Sequence, residues 1–232
     1  MAAPLGDDGQ GWPVTSFLGQ LSPAARTEIL RLGTRKTFSA REIVLQEGDA
    51  SGFAVLLLSG WFKVIASLEL DREALLAIRY RGDLVGELGA VDGEPRIATV
   101  KALGPGTGRR IGRREYLAFL EAHPDAERAA SRAVVDKLRS ATRRRVEFAT
   151  CSAPTRVARV LVELVLAYGR PTADGVVLDL SLTQPELAGL IGATEVTIQR
   201  ILASMRKDGI VETGYRRLTV LDQDRLAEFA EG

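Results

Sequence analysis

The spacing of apolar residues changes along the chain and divides it into a helical start, a strand-rich middle and a helical end. Residues 14–32 are predicted to be helical, because Ser22 followed by Pro23 has the N-cap and first-turn pattern that begins a helix. From about residue 37 to 113, short apolar runs alternate with glycine-containing turns, which is typical of strands in a sandwich or roll. The predicted strands are residues 43–45, 55–58, 62–65, 75–78, 84–85 and 98–103.

Residues 114–150 have a helical pattern. Their apolar positions follow the spacing of a coiled-coil seam, at Val134, Leu138, Ala141 and Phe148. Arg145 interrupts this seam. Two interpretations stay open, namely a helix that pairs with a second copy of the chain and an amphipathic helix that lies on its own domain. We favour the dimer helix. A further helix is predicted over residues 155–168.

The segment from residue 182 to 221 contains the most specific pattern. Thr183 and Glu186 have the spacing of a capping box, and Gly192 is placed to end the helix that the box begins. Thr194 can cap a second helix, which has one apolar face at Ile198, Ile201, Leu202 and Met205. A hairpin with two adjacent arginines follows. Short amphipathic helix pairs occur in many helical proteins, but the capped entry, the glycine in the turn and the basic hairpin together indicate a DNA-binding winged helix–turn–helix.

The exposed face of this second helix and the hairpin tip would contact DNA. The residues predicted to hold phosphates are Thr194, Thr197, Arg216 and Arg217. The residues predicted to reach base edges are Glu195, Gln199 and Arg200, because glutamate suits cytosine, glutamine suits adenine and arginine suits guanine. Val196 could contact a thymine methyl group.

Composition restricts these functions further. The 232 residues include 31 lysines and arginines against 30 aspartates and glutamates, so DNA binding must depend on a local basic patch. A single cysteine, Cys151, and a single histidine, His123, cannot form a disulfide within the chain, and one chain does not supply the usual zinc or iron–sulfur ligand sets. The chain has no signal peptide pattern and no apolar run of about 20 residues. We therefore expect a cytoplasmic protein with no membrane contact.

The chain resembles the CRP/FNR superfamily of bacterial transcription regulators from about residue 17 to 226. The matching segments are residues 43–49, 58–60, 82–89, 95–98 and 193–202. The resemblance implies an α+β fold with an N-terminal antiparallel β-roll of the jelly-roll type, a long dimerisation helix and a C-terminal winged helix–turn–helix. The expected domains are a flexible tail at 1–13, a β-roll effector domain at 14–125, the dimerisation helix at 126–150, a hinge at 151–154 and a DNA-binding domain at 155–232.

The resemblance also implies a cyclic nucleotide site in the roll. Gly86, Glu87 and Leu88 match a loop whose amides hold the phosphate and whose glutamate takes the ribose hydroxyl, and Arg96 matches the arginine that binds the phosphate. Ile97 stands where the cyclic-AMP branch has serine or threonine, and the loss of such a bond to a charged phosphate costs about 1.5–3 kcal/mol. An isoleucine there would instead fill space.

A second departure lies on the long helix, where the adenine-contacting pair of hydroxyls is reduced to Thr142 beside Ala141. The nucleotide site is therefore only partly kept, and cyclic AMP is the candidate effector. The alternative is an empty roll in which Glu87 and Arg96 pair with each other. The branches that bind an iron–sulfur cluster or haem use ligands that this chain does not match, so we expect no metal, haem or cluster.

Two functions stay open. The first is a homodimeric, sequence-specific transcription regulator on a pseudo-palindromic operator, with RNA polymerase as a candidate further partner. The second is a ligand-binding regulatory subunit that acts on a protein partner. An enzyme is not expected, because the sequence contains no nucleophile–base pair or paired acid motif. The recognition segment also departs from both main branches, so neither consensus operator can be transferred to this chain.

Overall fold

The computed structural model describes residues 11–67, 73–178, 183–214 and 217–232. The chain forms two compact units, residues 1–138 and 139–232, and each is described by itself. The first unit contains four helices and the start of a fifth: α1 (Phe17–Gln20), α2 (Pro23–Ile29), α3 (Glu87–Val91), α4 (Arg113–Ala122) and α5 (Pro124–Thr150) among its described residues. Its strands are β1 (Thr34–Phe38), β2 (Ile43–Leu45), β3 (Ala54–Ser59), β4 (Phe62–Ser67), β5 (Glu73–Arg79), β6 (Leu84–Val85), β7 (Thr99–Ala102) and β8 (Gly106–Ile111).

These strands form two four-stranded antiparallel sheets, with the orders β1-β8-β3-β6 and β2-β7-β4-β5. All six strands predicted from apolar runs are confirmed, but β1 and β8 were not predicted. Strand β8 has glycine where the sheet is crowded, since a Cβ at Gly108 would lie 3.2 Å from the Phe38 ring. A central strand that places glycine on its inner face lacks the apolar alternation by which strands are recognised.

Two apolar cores hold the first unit together. The core between the sheets contains residues from both of them: Phe38, Leu45, Val55, Leu57, Phe62, Val85, Val100 and Ala102. The other core packs the opposite face of β3 and β8 against helices and includes Leu56, Ile111, Phe119 and Tyr116. Burial raises the pKa of Tyr116, so its phenol stays neutral.

The predicted helix over residues 14–32 is two short helices. Ser22 caps α2 by accepting a hydrogen bond from the Ala25 amide at 3.3 Å, and Pro23 occupies its first position, as predicted. The backbone of Leu21 is extended and separates α1 from α2.

Helix α5 begins two residues before the predicted dimerisation helix and ends at the predicted residue. Its first turns bury Ala126, Ala129 and Ala130 in the core that packs β3 and β8 against helices, which agrees with the interpretation that the helix lies on its own domain. Further along, Leu138 is 66% exposed, so this apolar side chain is largely open to solvent in a single chain. Phe148, the last residue of the predicted seam, packs within the second unit, because its ring would lie 3.0 Å from a Cβ at Gly192.

The second unit contains α6 (Ala153–Tyr168), α7 (Gln184–Ile191), α8 (Glu195–Lys207) and α9 (Gln223–Glu231). Its strands are β9 (Arg170–Thr172), β10 (Gly175–Leu178), β11 (Val211–Gly214) and β12 (Arg217–Val220), in the sheet order β11-β12-β10-β9. Of the predicted hinge, Cys151 and Ser152 lie between helices, whereas Pro154 belongs to the first turn of α6. No helix in the described parts of the chain is long and apolar enough to span a membrane.

Candidate DNA-binding surface and ligand site

Helix α7 is fixed at both ends by local interactions. The Thr183 amide donates to Glu186 Oε2 at 2.9 Å, and the Glu186 amide donates to Thr183 Oγ1 at 3.4 Å, which confirms the predicted capping box. Gly192 ends α7 with φ +68°, a conformation that favours glycine. The capping box begins α7, and Gly192 with the Ala193 amide, which donates to the Ala188 carbonyl at 3.0 Å, makes the tight turn before α8.

Helix α8 has one buried face and one exposed face. Thr194 caps it, with its Oγ1 accepting a hydrogen bond from the Thr197 amide at 3.2 Å. The predicted apolar face is buried at Ile198, Leu202 and Met205 and half-buried at Ile201. Since burial on this side anchors the helix, substitutions on the opposite side should leave the fold intact.

The opposite face presents the predicted base-reading residues to solvent. Val196 is 54% exposed, and Glu195, Gln199 and Arg200 are exposed as well. Gln199 Nε2 donates to Glu195 Oε1 at 3.3 Å, which holds these two side chains beside each other. Within the described parts of the chain, Arg200 has no hydrogen bond or ion pair, so its guanidinium is free to bind.

The hairpin of β11 and β12 follows α8 as predicted, with Gly214 paired to Arg217. Arg217 is exposed, whereas the predicted contact Arg216 lies outside the described residues. Arg206 connects α8 to this hairpin by donating from Nη1 to Thr213 Oγ1 at 2.8 Å. The role of Arg206 is not evident from the sequence, because nothing in its spacing separates an arginine that holds two elements together from one that is solvated.

In the first unit, Arg96 lies against the loop that was predicted to hold a phosphate. Its side chain is buried; Nη1 donates to the Gly86 carbonyl at 2.6 Å, and Nη2 donates to the Phe53 carbonyl and to Ser51 Oγ, the latter at 3.4 Å. A Cβ at Gly86 or Gly89 would lie 2.9 Å from Nη1. The glycines of this loop therefore make room for the guanidinium.

Arg96 also keeps an unused donor. Its Nε is buried and has no hydrogen-bond partner among the described residues. Burial lowers the pKa of Arg96, and the Asp49 and Glu87 carboxylates oppose that shift. A buried cation with a spare N–H is suited to an anionic ligand, and this orphaned donor is the feature of the roll that best fits a bound phosphate or carboxylate.

Glu87 has a different partner from the one expected. Its buried carboxylate accepts a hydrogen bond from Lys137 Nζ of α5 at 2.7 Å, and the same Nζ donates to the Leu84 carbonyl at 3.0 Å. The alternative in which Glu87 and Arg96 pair with each other is therefore wrong, because each is held by other groups. Burial lowers the pKa of Lys137, and the Glu87 carboxylate opposes this.

Lys137 was missed by the sequence analysis. It lies one helical turn before Ala141 and Thr142 on α5, and this spacing could have indicated that Lys137 faces the same site as they do.

The expectation that Ile97 fills space is also wrong, because its side chain is 72% exposed. Leu88 is half-buried and Thr142 is exposed, and their roles toward a ligand stay predictions. Among the described residues, no group of three or more histidine, cysteine, aspartate or glutamate side chains could hold a metal ion.

Both parts of the chain match known families. Residues 35–123 match the cyclic nucleotide-binding domain, and residues 155–229 match the Crp-like helix–turn–helix domain. Two units of this kind in one chain define a transcription regulator with an effector-type domain and a DNA-binding domain. The chain belongs to the CRP/FNR superfamily, which confirms the resemblance seen in the sequence.

Individual relatives agree with this. The CRP-like cAMP-activated global transcriptional regulator of Mycobacterium tuberculosis is 25% identical over 83% of this chain and 86% of its own length. The global nitrogen regulator of a Synechocystis strain is 24% identical over 83% of this chain and 87% of its own. The structure of FixK2 from Bradyrhizobium japonicum shares the fold, with a TM-score of 0.75 and 18% identity over 85% of this chain and 97% of that one.

We predict that Lys137→Met destabilises the first unit by about 3 kcal/mol, because it leaves the buried Glu87 charge without a partner. The double variant Glu87→Gln/Lys137→Met should recover most of that loss. Urea unfolding followed by tryptophan fluorescence measures this directly, since both tryptophans, Trp12 and Trp61, lie in the first unit.

Lys101→Met is the matched control. Lys101 Nζ lies 3.6 Å from Glu73, and the lysine is about as exposed as Lys137, but Glu73 is 45% exposed and keeps Lys63 as a second partner at 3.3 Å. Its loss should cost no more than about 1 kcal/mol. Equal costs for the two lysine variants would show that the burial of Glu87 does not determine the stability of this site.

Proposed function

We propose that the protein acts in the cytoplasm as a homodimer that binds a pseudo-palindromic DNA site and that a small anionic ligand in the roll changes its DNA affinity. The observation that carries the DNA-binding part is the two-sided character of α8. One face is anchored by Ile198, Leu202 and Met205, and the other presents Arg200 without a partner in the described chain. The CRP/FNR membership favours DNA over a protein partner for this surface.

Helix α5 supplies the proposed dimer contact. Its exposed apolar side chains include Val135, Leu138 and Val146, which are 43%, 66% and 56% exposed. At about 100° per residue these three positions fall on one face of the helix, and exposed apolar residues on one face of a long helix are stabilised by pairing with a second copy. In a twofold dimer, two copies of α8 would enter successive major grooves about 34–36 Å apart, which requires a pseudo-palindromic site.

The proposed DNA contacts keep the roles assigned from the sequence. Thr194, Thr197, Arg217 and Arg216 hold phosphates and set the register of α8 on the duplex. Arg200, Gln199 and Glu195 read base edges in the major groove, and Val196 contacts a thymine methyl. RNA polymerase is the proposed protein partner of the DNA-bound dimer. The proposed activity is regulation through binding, without catalysis.

The proposed ligand site comprises Gly86, Glu87, Leu88, Arg96, Ile97 and Thr142. Cyclic AMP is a candidate ligand, because the Mycobacterium tuberculosis relative is cAMP-activated and Arg96 retains a spare donor beside the glycine loop. A ligand hydroxyl that binds Glu87 has to compete with Lys137. We propose no metal, haem or iron–sulfur cofactor.

We predict that Arg200→Ala abolishes specific DNA binding and leaves the dimer intact. Loss of a bidentate arginine–guanine contact costs about 1–3 kcal/mol per half-site. Fluorescence anisotropy with a selected duplex and with a scrambled duplex, together with sedimentation of the free protein, gives both readouts.

Arg217→Ala provides the contrast. A phosphate contact carries no sequence information, so this variant should weaken binding to both duplexes alike and reduce the salt dependence by about one unit per half-site. Unchanged affinity of Arg200→Ala for the selected duplex would remove Arg200 from the base-reading role.

We also predict that Ile97→Ser strengthens cyclic AMP binding about tenfold or more, because a hydroxyl bond to a charged phosphate is worth about 1.5–3 kcal/mol. Ile97 is largely exposed, so the change should cost little packing energy. Arg96→Ala should remove binding. Calorimetric titration of the wild type and both variants, each checked for folding by circular dichroism, measures this. If folded Ile97→Ser does not bind at millimolar cyclic AMP, the phosphate assignment of this loop fails.

A further inference from the structure

Along β8, the residue on the inner face of the roll changes from Gly108 to Arg110. Leu57 pairs with Gly108 and Val55 pairs with Arg110, and side chains that pair across antiparallel strands lie on the same face of the sheet. Val55 and Leu57 belong to the core between the sheets. Arg110 therefore occupies the inner face of the roll, yet it is exposed, which places it where that core opens to solvent.

The Phe53 ring brings Arg110 and Arg96 together. The Arg110 guanidinium lies 3.7 Å from the centroid of this ring, and the Arg96 guanidinium lies 5.1 Å from the same centroid. Contact with an aromatic ring orients a guanidinium while leaving its N–H groups available at the edges. The ring thus holds a second cation beside the one that contacts the glycine loop.

The neighbouring Arg109 shows what a structural arginine on this strand does. It is buried, and it donates to the carbonyls of Arg31, Leu32 and Gly33. The Arg110 side chain makes no hydrogen bond or ion pair within the residues that the structure describes. Its guanidinium lies on the Phe53 ring, and its N–H donors are unused.

The acids near this pair form no ion pair with either arginine within the described residues, and each accepts a hydrogen bond from another group. Asp49 Oδ1 accepts from the Ser51 amide at 3.1 Å, and Asp92 Oδ1 accepts from the Glu94 amide at 2.9 Å. The carboxylate of Glu87 is bound to Lys137. Two like charges over one ring repel each other, and an anion that binds both of them would relieve this repulsion.

We propose that the roll binds a ligand with two negative charges, one held by Arg96 at the Gly86–Gly89 loop and the other by Arg110 over Phe53. The inference rests on the proposed ligand control of the roll, and it specifies the chemical class of the effector. A cyclic phosphodiester such as cyclic AMP carries one charge and would leave Arg110 unused. A phosphomonoester or a bisphosphate would engage both arginines, with charge-assisted bonds to each.

Three adenosine ligands that differ in charge test this on the full-length protein. The probes are cyclic AMP, adenosine 5′-monophosphate with two charges on one phosphate, and adenosine 3′,5′-bisphosphate with two charges on each of two phosphates. Titrations at about pH 8 keep each monoester phosphate doubly charged, because its second pKa is about 6. We expect at least one of the two monoester probes to bind about tenfold more tightly than cyclic AMP, since it gains a charge-assisted contact.

Arg110→Gln should remove this preference and leave cyclic AMP binding within about twofold, because a singly charged ligand does not need Arg110. Arg35→Gln is the matched control: it is an exposed arginine paired to Arg109 on the other face of the sheet, so it should change nothing. Whether the monophosphate or the bisphosphate binds more tightly distinguishes one phosphate shared by both arginines from two separate phosphates.

The proposal is overturned if cyclic AMP binds as tightly as the two monoester probes, if Arg110→Gln leaves the preference intact, or if no probe binds at millimolar concentration. None of these results bears on DNA recognition, which the Arg200 and Arg217 variants test separately. If cyclic AMP alone binds and changes DNA affinity, the proposed function stands and the inference about a second charge fails.

Discussion

The buried carboxylate of Glu87 is the constraint on which the ligand site of the first unit depends. A carboxylate in this position is stable only with a partner, and Lys137 reaches it from α5 at 2.7 Å. The loop that was expected to hold a ligand is therefore joined to the helix that is proposed to form the dimer. A ligand that takes over Glu87 has to release Lys137, and this exchange offers a direct physical link between ligand binding and the position of α5.

The arginines of this chain have different roles, and their hydrogen-bond partners distinguish those roles. Arg109 and Arg206 donate to groups of their own unit and stabilise the fold. Arg110 and Arg200 are exposed and have no such partner in the described chain. Since an arginine with unused donors retains its full capacity for a phosphate, a carboxylate or a guanine, these two positions are the best candidates for contacts with other molecules.

Much of the fold could be predicted because it depends on short-range patterns. The capping box at Thr183, the left-handed glycine at 192 and the proline at position 23 each fix a helix end through contacts within a few residues. Strands β1 and β8 could not be predicted, because glycine and exposed polar residues occupy positions whose environment depends on the opposite strand or sheet. Local sequence does not encode that environment.

The candidate sites divide in the same way. The exposed face of α8 follows from helical period alone, so its residues could be assigned from the spacing of the apolar positions. Glu87 contacts Lys137, and Arg96 and Arg110 both contact Phe53, so each depends on a segment far away in the chain. The sequence could therefore indicate the loop but not these contacts. The alternative in which Glu87 pairs with Arg96 failed for this reason: an acid and a base assigned to one site need not be partners.

Selection of duplexes from a random pool by the full-length protein shows directly whether two copies of α8 read DNA together. We predict enrichment of a pseudo-palindrome with two equivalent half-sites whose centres lie one helical turn, about 10 base pairs, apart. Enrichment of a single asymmetric half-site would contradict the proposed dimer. No enrichment over the starting pool, with and without the adenosine ligands, would contradict sequence-specific recognition by α8.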